Sequence, residues 1–330
     1  MEVIFKMKKI IKQTLFFCVL ILSISFISFL LIDQSPIDPV ASFTRSRAIG
    51  LTLDEKQALI LKWGLDKSLF ERYIIWLKFL LRGNLGISNI YNRPVLEIIK
   101  RGFSSSIMLM ACAWLLQGIF GIVLGIVAGA NVGTIKDKAI KLYALIFAAM
   151  PTFWIGLMLI VVFSIKLNWF PASMGSPIGV RDIDVNFLQR LKYMVLPCIS
   201  LVLAGVSNII LQTRAKVEDI LNSDYVLYAK AKGLKKREIL WNYAFKNMIL
   251  PGLTLQFTYF SELFSGTVLV ENVFNYPGLG NLTVEAGLRG DTPLLLGLVV
   301  FSGVFVYVGN RVCDLLYLFI DPRLRRKSGI

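Results

Sequence analysis

Histidine is absent from all 330 residues. That absence removes imidazole general-base chemistry and imidazole metal ligation from this chain. Cysteine is scarce. Cys18, Cys112, Cys198 and Cys313 each lie in an apolar run, with no paired spacing that would make a disulfide framework or zinc site, so they read as buried packing. No Gly-x4-Gly-Lys-Ser/Thr phosphate loop occurs, so the chain does not hydrolyse ATP by that machinery. Charged residues are only 17% of the total, and the acids are scattered, which argues against a membrane-embedded enzyme. No internal repeat divides the chain into two halves, which argues against a secondary transporter of the repeat-built kind.

What remains is largely apolar. Hydrophobic residues make up 56% of the chain, more than a water-soluble domain can hide, so the composition is that of an integral membrane protein. The net charge of +15 would suit nucleic acid, but the basic residues cluster at the ends of apolar runs, so the implied partner is membrane lipid. Six runs, at about 10–32, 104–130, 140–166, 194–213, 250–271 and 292–320, reach the roughly 20 helical residues that a bilayer core requires. The first is too long for a signal-peptide core and is expected to be a retained helix. Gly118, Gly121, Gly125 and Gly129 recur at spacings of three and four, which prepares one face of the second run for close helix packing.

Counting Lys and Arg by loop predicts an N-terminus inside the cell, with 1–9, 131–139, 214–249 and 321–330 cytoplasmic. The 214–249 loop alone holds Arg214, Lys216, Lys230, Lys232, Lys235, Lys236, Arg237 and Lys246. The organisation expected is a first transmembrane helix within 1–32, an external cap at 33–103, a five-helix core at 104–320 and a basic cytoplasmic tail at 321–330. Within the cap, Thr52 and Glu55 have capping-box spacing, Gly64 stands at a helix end, and a second helix is predicted over Leu69–Leu81. Three intramembrane charges stand out. Glu262 lies mid-run in the fifth segment, where it serves either as a polar contact on a translocation path or as a hydrogen-bond partner of a neighbouring helix. Arg311 and Asp314, three apart on the sixth, read as a pair.

The segment Asp224-Tyr-Val-Leu-Tyr-Ala-Lys-Ala-Lys-Gly-Leu234 is polar, basic and helical in character, with Gly233 where a helix needs its C-terminal cap. Taken alone, it is either a docking helix for a soluble partner or a basic loop held only by charge. With Pro251 it resembles the cytoplasmic EAA loop of ABC import permeases, in the form of the dipeptide/oligopeptide/nickel branch. Tyr225, Ala229, Ala231, Lys232, Gly233, Leu234, Asn247 and Pro251 carry the match, while Leu227 stands where sugar importers have the glutamate. Further matches are Pro36, Asp38 and Pro39, with Ile37 in place of a glycine. Gly64-Leu-Asp66, Gly83-Asn-Leu-Gly86-x-Ser88, Pro151-x-Phe-Trp154, Glu271 with Pro277, Gly278 and Gly280, and Asp321-Pro322-Arg323 follow in order.

The resemblance implies a six-helix type I importer permease fold with an external helical segment, in a bacterial cell membrane. It implies a second homologous permease as partner in a heterodimer, together with two ATPase subunits that use ATP and Mg, and an extracytoplasmic solute-binding protein. The cargo would be peptides, nickel or other metal chelates. This chain would be no enzyme and would bind no cofactor or metal itself, and Tyr225 through Leu234 with Pro251 would couple it to the ATPase. A secondary transporter or a channel without an ATPase is the alternative.

Overall fold

The computed structural model describes residues 2–36, 38–47, 52–172, 186–235, 238–239 and 245–320. Its helices are α1 Glu2–Asp33, α2 Pro39–Arg47, α3 Leu53–Trp63, α4 Leu69–Leu81, α5 Val95–Gly129, α6 Ile135–Ala149 and α7 Thr152–Leu159, which continues as a π-helical stretch, Ile160–Lys166. After these come α8 Phe187–Leu221, α9 Asp224–Ala231, α10 Phe245–Thr258, α11 Phe260–Val273, α12 Leu279–Leu288 and α13 Thr292–Ile320. Among the described residues no β-strand forms beyond one bridge between Ile87 and Pro94.

Among the described residues, four helices are long and apolar enough to cross a membrane: Thr14–Asp33 within α1, then α5, α8 and Thr292–Leu316 within α13. The third expected run is not straight. α6 and α7 meet at an angle of 103°. Pro151 causes the break: it offers no N–H to the helix ladder and drives Met150 into an extended conformation, with ψ at 131°. The fifth run divides at Tyr259 into α10 and α11, of 14 residues each. Hydrogen bonds from Tyr259 N to Leu255 O and from Leu263 N to Tyr259 O carry the ladder across that division. Pro251 lies inside α10, nearly two turns beyond its start, and so does not mark the end of the preceding loop.

The chain forms two compact units. One comprises Met1–Ser105 with Gly278–Phe305. Its helix starts are written in the sequence. Thr52 accepts from Glu55 N while Glu55 Oε2 accepts from Thr52 N at 2.8 Å, the reciprocal box that opens α3. These bonds from Thr52, backbone first, hold the exposed Glu55 carboxyl below its ordinary pKa. Gly64, at φ 65°, closes α3, with Leu65 N donating to Ile60 O at 2.9 Å. Asp38 accepts from Val40 N at 2.8 Å, and Pro39 opens α2 where its missing N–H costs nothing. Gly278, in extended backbone, precedes α12, and Gly280 is buried in its first turn.

α4 binds α1 through one apolar face. Trp76 packs with Phe29 and Leu296, Tyr73 Oη donates to Leu22 O at 3.2 Å, and Arg72 pairs with Asp33 at 2.6 Å. The loop after α4 is held from far along the chain. Asp291 is fully buried and accepts from Ser88 Oγ at 2.5 Å, Asn89 N at 3.2 Å, Ile90 N at 3.1 Å and Leu294 N at 3.2 Å. A buried carboxylate is tolerable with donors arranged in this way. Beside it, Tyr91 Oη donates to Glu285 at 2.5 Å. Burial, then this bond to a carboxylate, push the phenol pKa upward. Val95, Ile99, Leu279, Leu294 and Leu298 form the apolar core.

The other unit comprises Ser106–Pro277 with Val306–Ile330. Its central seam joins α5 to α8, and both sides step by four residues. A Cβ on Gly121 would lie 2.6 Å from Ile209, one on Gly125 2.6 Å from Thr213, and one on Gly129 2.6 Å from Val217 and 2.7 Å from the Arg214 carbonyl. The glycines let two backbones meet where any larger side chain would force them apart. Gly118 instead faces Gln256. Trp114 and Gln256 join α5 to α10 through reciprocal bonds: Trp114 Nε1 donates to Gln256 O at 3.1 Å, and Gln256 Nε2 donates to Trp114 O. Glu271, buried, accepts from Ser106 Oγ at 2.5 Å, and its carbonyl accepts from Tyr276 N just before Pro277.

Candidate functional site

The predicted short helix after α8 is α9, which runs from Asp224 to Ala231. Asp224 in its first turn and Lys230 in its last complement the helix dipole. Gly233, at φ 81°, ends it: Gly233 N donates to Lys230 O at 2.9 Å and Leu234 N to Ala229 O at 3.4 Å. That paired closure requires a left-handed residue, and glycine takes the conformation without strain.

α9 has two faces. Val226 and Ala229 are buried against Ile239, Leu221 and Leu234. Leu227 and Tyr228, the latter 63% exposed, lie opposite that pair, and Tyr225 is exposed at its flank. Spacing by four places Tyr225, Ala229 and Gly233 on one outward face, but the structure corrects this reading for Ala229. At 1% exposure it is the foot of the helix, because Val226 and Ala229 together are its inward apolar pair. Ala231, Lys232 and Gly233 are exposed, and Leu234 is half-buried. Lys232 Nζ stands 4.7 Å over the Tyr228 ring, and Tyr225 Oη accepts from Asn247 at 3.2 Å.

α9 follows directly from α8, whose end is fixed by an ion pair that the sequence reading missed. Arg214 donates from Nε to Asp137 Oδ1 at 2.6 Å, from Nη2 to Oδ2 at 2.9 Å, and from Nη1 to Glu218 at 2.9 Å. Asp137 also accepts from Gly133 N at 2.9 Å, so the turn before α6 is tied to α8. Asp137 and Arg214 lie 77 residues apart, and each passes in sequence as an ordinary loop charge.

Glu262 stands in the first turn of α11 and is exposed to a cavity of about 130 Å³. The cavity also receives Gln117 from α5, Thr152 from α7, Asn208 from α8 and Tyr259 from the α10–α11 junction. Each falls in an apolar run, where a polar residue is the available signal; of them only Glu262 was singled out. Arg311 and Asp314 pair at 3.7 Å, exposed on α13, with the guanidinium 5.2 Å from the Tyr307 ring centroid. Asp321, Pro322 and Arg323 lie outside the described residues, as do Lys236 and Arg237.

A membrane chain of this helix order, with an exposed short helix between long apolar ones and no nucleotide loop of its own, is the membrane component of a transporter. The chain belongs to the family of binding-protein-dependent transport system inner membrane components, which it matches over residues 121–326. It is 31% identical over 318 residues to the oligopeptide transport system permease protein AppB of Bacillus subtilis, covering 96% of this chain and 98% of that one. It is 30% identical to the dipeptide transport system permease protein DppB of Escherichia coli, over 93% of this chain and 95% of that one. The di/tripeptide transport system permease protein DppB of Pseudomonas aeruginosa is also 30% identical, over 92% and 94%. Among solved structures, the inward-facing MetNI methionine ABC transporter has a chain that superposes with a TM-score of 0.53 at 13% identity, covering 68% of this chain and 97% of that one. The fold is that of an ABC importer permease, and a secondary transporter or uncoupled channel is not favoured.

Proposed function

We propose that this chain is the permease subunit of a peptide importer. An extracytoplasmic binding protein hands over the peptide, a second homologous permease completes the pathway, and two separate ATPase subunits supply ATP hydrolysis. Both termini and the loop 214–249 face the cytoplasm, in keeping with the distribution of Lys and Arg. Peptides are favoured over metal chelates because the similar permeases AppB and DppB are named for peptide transport.

The observation that carries this reading is the two-faced α9. Val226 and Ala229 root it in its own chain, while Leu227 and Tyr228, and Tyr225 on another side of the helix, are exposed, as are Lys230 and Lys232. Exposed aromatics in this arrangement are anchors for a protein partner, and flanking lysines steer its approach. Because α9 follows α8 after two residues and α8 is latched to the turn before α6, a push on α9 moves those elements as one body.

The test is purification of the assembled importer. Tyr228→Ala and Leu227→Asp should lose the ATPase subunits, or lose solute-stimulated hydrolysis, while the permease remains in the membrane. Full assembly and coupling in both variants would remove α9 from the coupling role. Failure of the partner binding protein to bind any peptide would overturn the cargo assignment independently.

A further inference from the structure

Gln117, Asn208 and Glu262 come from three different helices to one cavity, and their side chains make few hydrogen bonds with the described residues. Among the described residues the Glu262 side chain has no hydrogen-bond or ion-pair partner and the Asn208 side chain no hydrogen-bond partner. Gln117 donates its amide to Leu201 O at 2.8 Å, which leaves its oxygen as the end free to accept. Tyr259 already accepts from Gln212 at 2.6 Å. Among the residues lining the cavity, Glu262 is the one with a charge.

By sequence count the cavity is deep. Gln117 is at the middle of the apolar run 104–130 and Glu262 is well inside 250–271. A lone carboxylate at that depth is costly unless a cation or water meets it. The cavity, about 130 Å³, has room for one charged group with a few waters.

We propose that Glu262, with the amide oxygens of Gln117 and Asn208, forms a cation subsite that receives the ammonium group of the passing solute. This inference rests on the peptide reading and names what part of the peptide the permease itself senses. Selection would then occur twice, at the binding protein and again at mid-membrane.

Uptake by the reconstituted importer, with its binding protein, should be compared for a free-amine peptide and its N-acetylated form, in the parent and in Glu262→Gln. The binding protein's own preference is common to both and cancels in the cycle. Loss of a charge-assisted bond should shrink the acetylation penalty by about tenfold in Glu262→Gln, with Glu262→Asp close to the parent. Equal penalties in parent and variant would overturn the subsite. If the parent imports neither peptide, the cargo reading fails instead, and a second measurement decides the subsite. In a background free of native cysteines, Asn208→Cys, or Thr152→Cys should that variant not assemble, is modified with cationic and anionic thiosulfonates. A cationic preference that vanishes with Glu262→Gln supports the subsite; no preference while Glu262 is present refutes it.

Discussion

Arg214 and Asp137 meet through two parallel hydrogen bonds, at 2.6 and 2.9 Å, at the end of α8 that leads into α9. The Asp137 side chain is 5% exposed, so removing one partner leaves a charge largely shielded from water. Asp137→Asn or Arg214→Gln should each destabilise the permease by about 3 kcal/mol, and the double variant by less than their sum. Arg214→Lys should fall short of rescue, because an ammonium cannot make the fork. Thermal unfolding of the detergent-purified complex measures this, and strictly additive losses would show that the two groups do not act together.

The α5–α8 seam predicts a specific rescue. Gly121→Ala places a methyl 2.6 Å from Ile209 and should cost about 1–3 kcal/mol. Adding Ile209→Ala should return part of that loss, although it removes buried surface by itself. A double variant less stable than either single one would mean that the seam is not where the strain arises.

Position 233 separates backbone strain from crowding. A Cβ there meets no neighbour within 4 Å, yet φ is 81°. Gly233→Val should therefore disturb the closure of α9, while Gly233→Asn, which tolerates left-handed backbone, should be mild. Solute-stimulated ATPase activity of the assembled importer distinguishes them. Equal effects would point to side-chain contact with the partner rather than helix closure.

Orientation is open to direct labelling. A cysteine at Lys235, in a cysteine-free background, should react with a membrane-impermeant reagent only from the cytoplasmic side. Reaction from outside would invert the topology.

The capping box of α3 should titrate. Glu55 has its folded pKa depressed below its ordinary value, so its contribution is present above that ordinary value and is lost as pH falls through the lower, folded one. Protection of the 53–63 amides against exchange should decline over that acid range, and Glu55→Gln should remove the dependence. A pH-independent profile in the parent would contradict it.

Much of this was legible because it is local. Thr52, Glu55 and Gly64 bracket α3, Leu69–Leu81 is α4 to the residue, and Gly233 closes α9, since caps and periodicity act within a turn or two. The glycine spacing announced a seam, though not that α8 fills it. What was hidden depends on residues more than a turn or two away in the chain. The inward turn of Ala229 is set by Ile239 and Leu221, the Arg214 latch by Asp137, and the angle at Pro151 by the packing of both flanking helices. Glu262 could be singled out as a charge in an apolar run, but Gln117 and Asn208 became its companions only when three helices were placed together.

The buried Asp291 carries a consequence for the order in which the protein is made. Ser88 and its acceptor lie 203 residues apart, and the same carboxylate holds the next two backbone amides. At the usual pace of synthesis the ribosome needs about 10–40 s to travel that far. Throughout that interval the segment after α4 has its donors and its apolar face ready, with nothing to receive them. The first unit is therefore begun at the start of translation and completed near its end, after the intervening Ser106–Pro277 part of the other unit has been made.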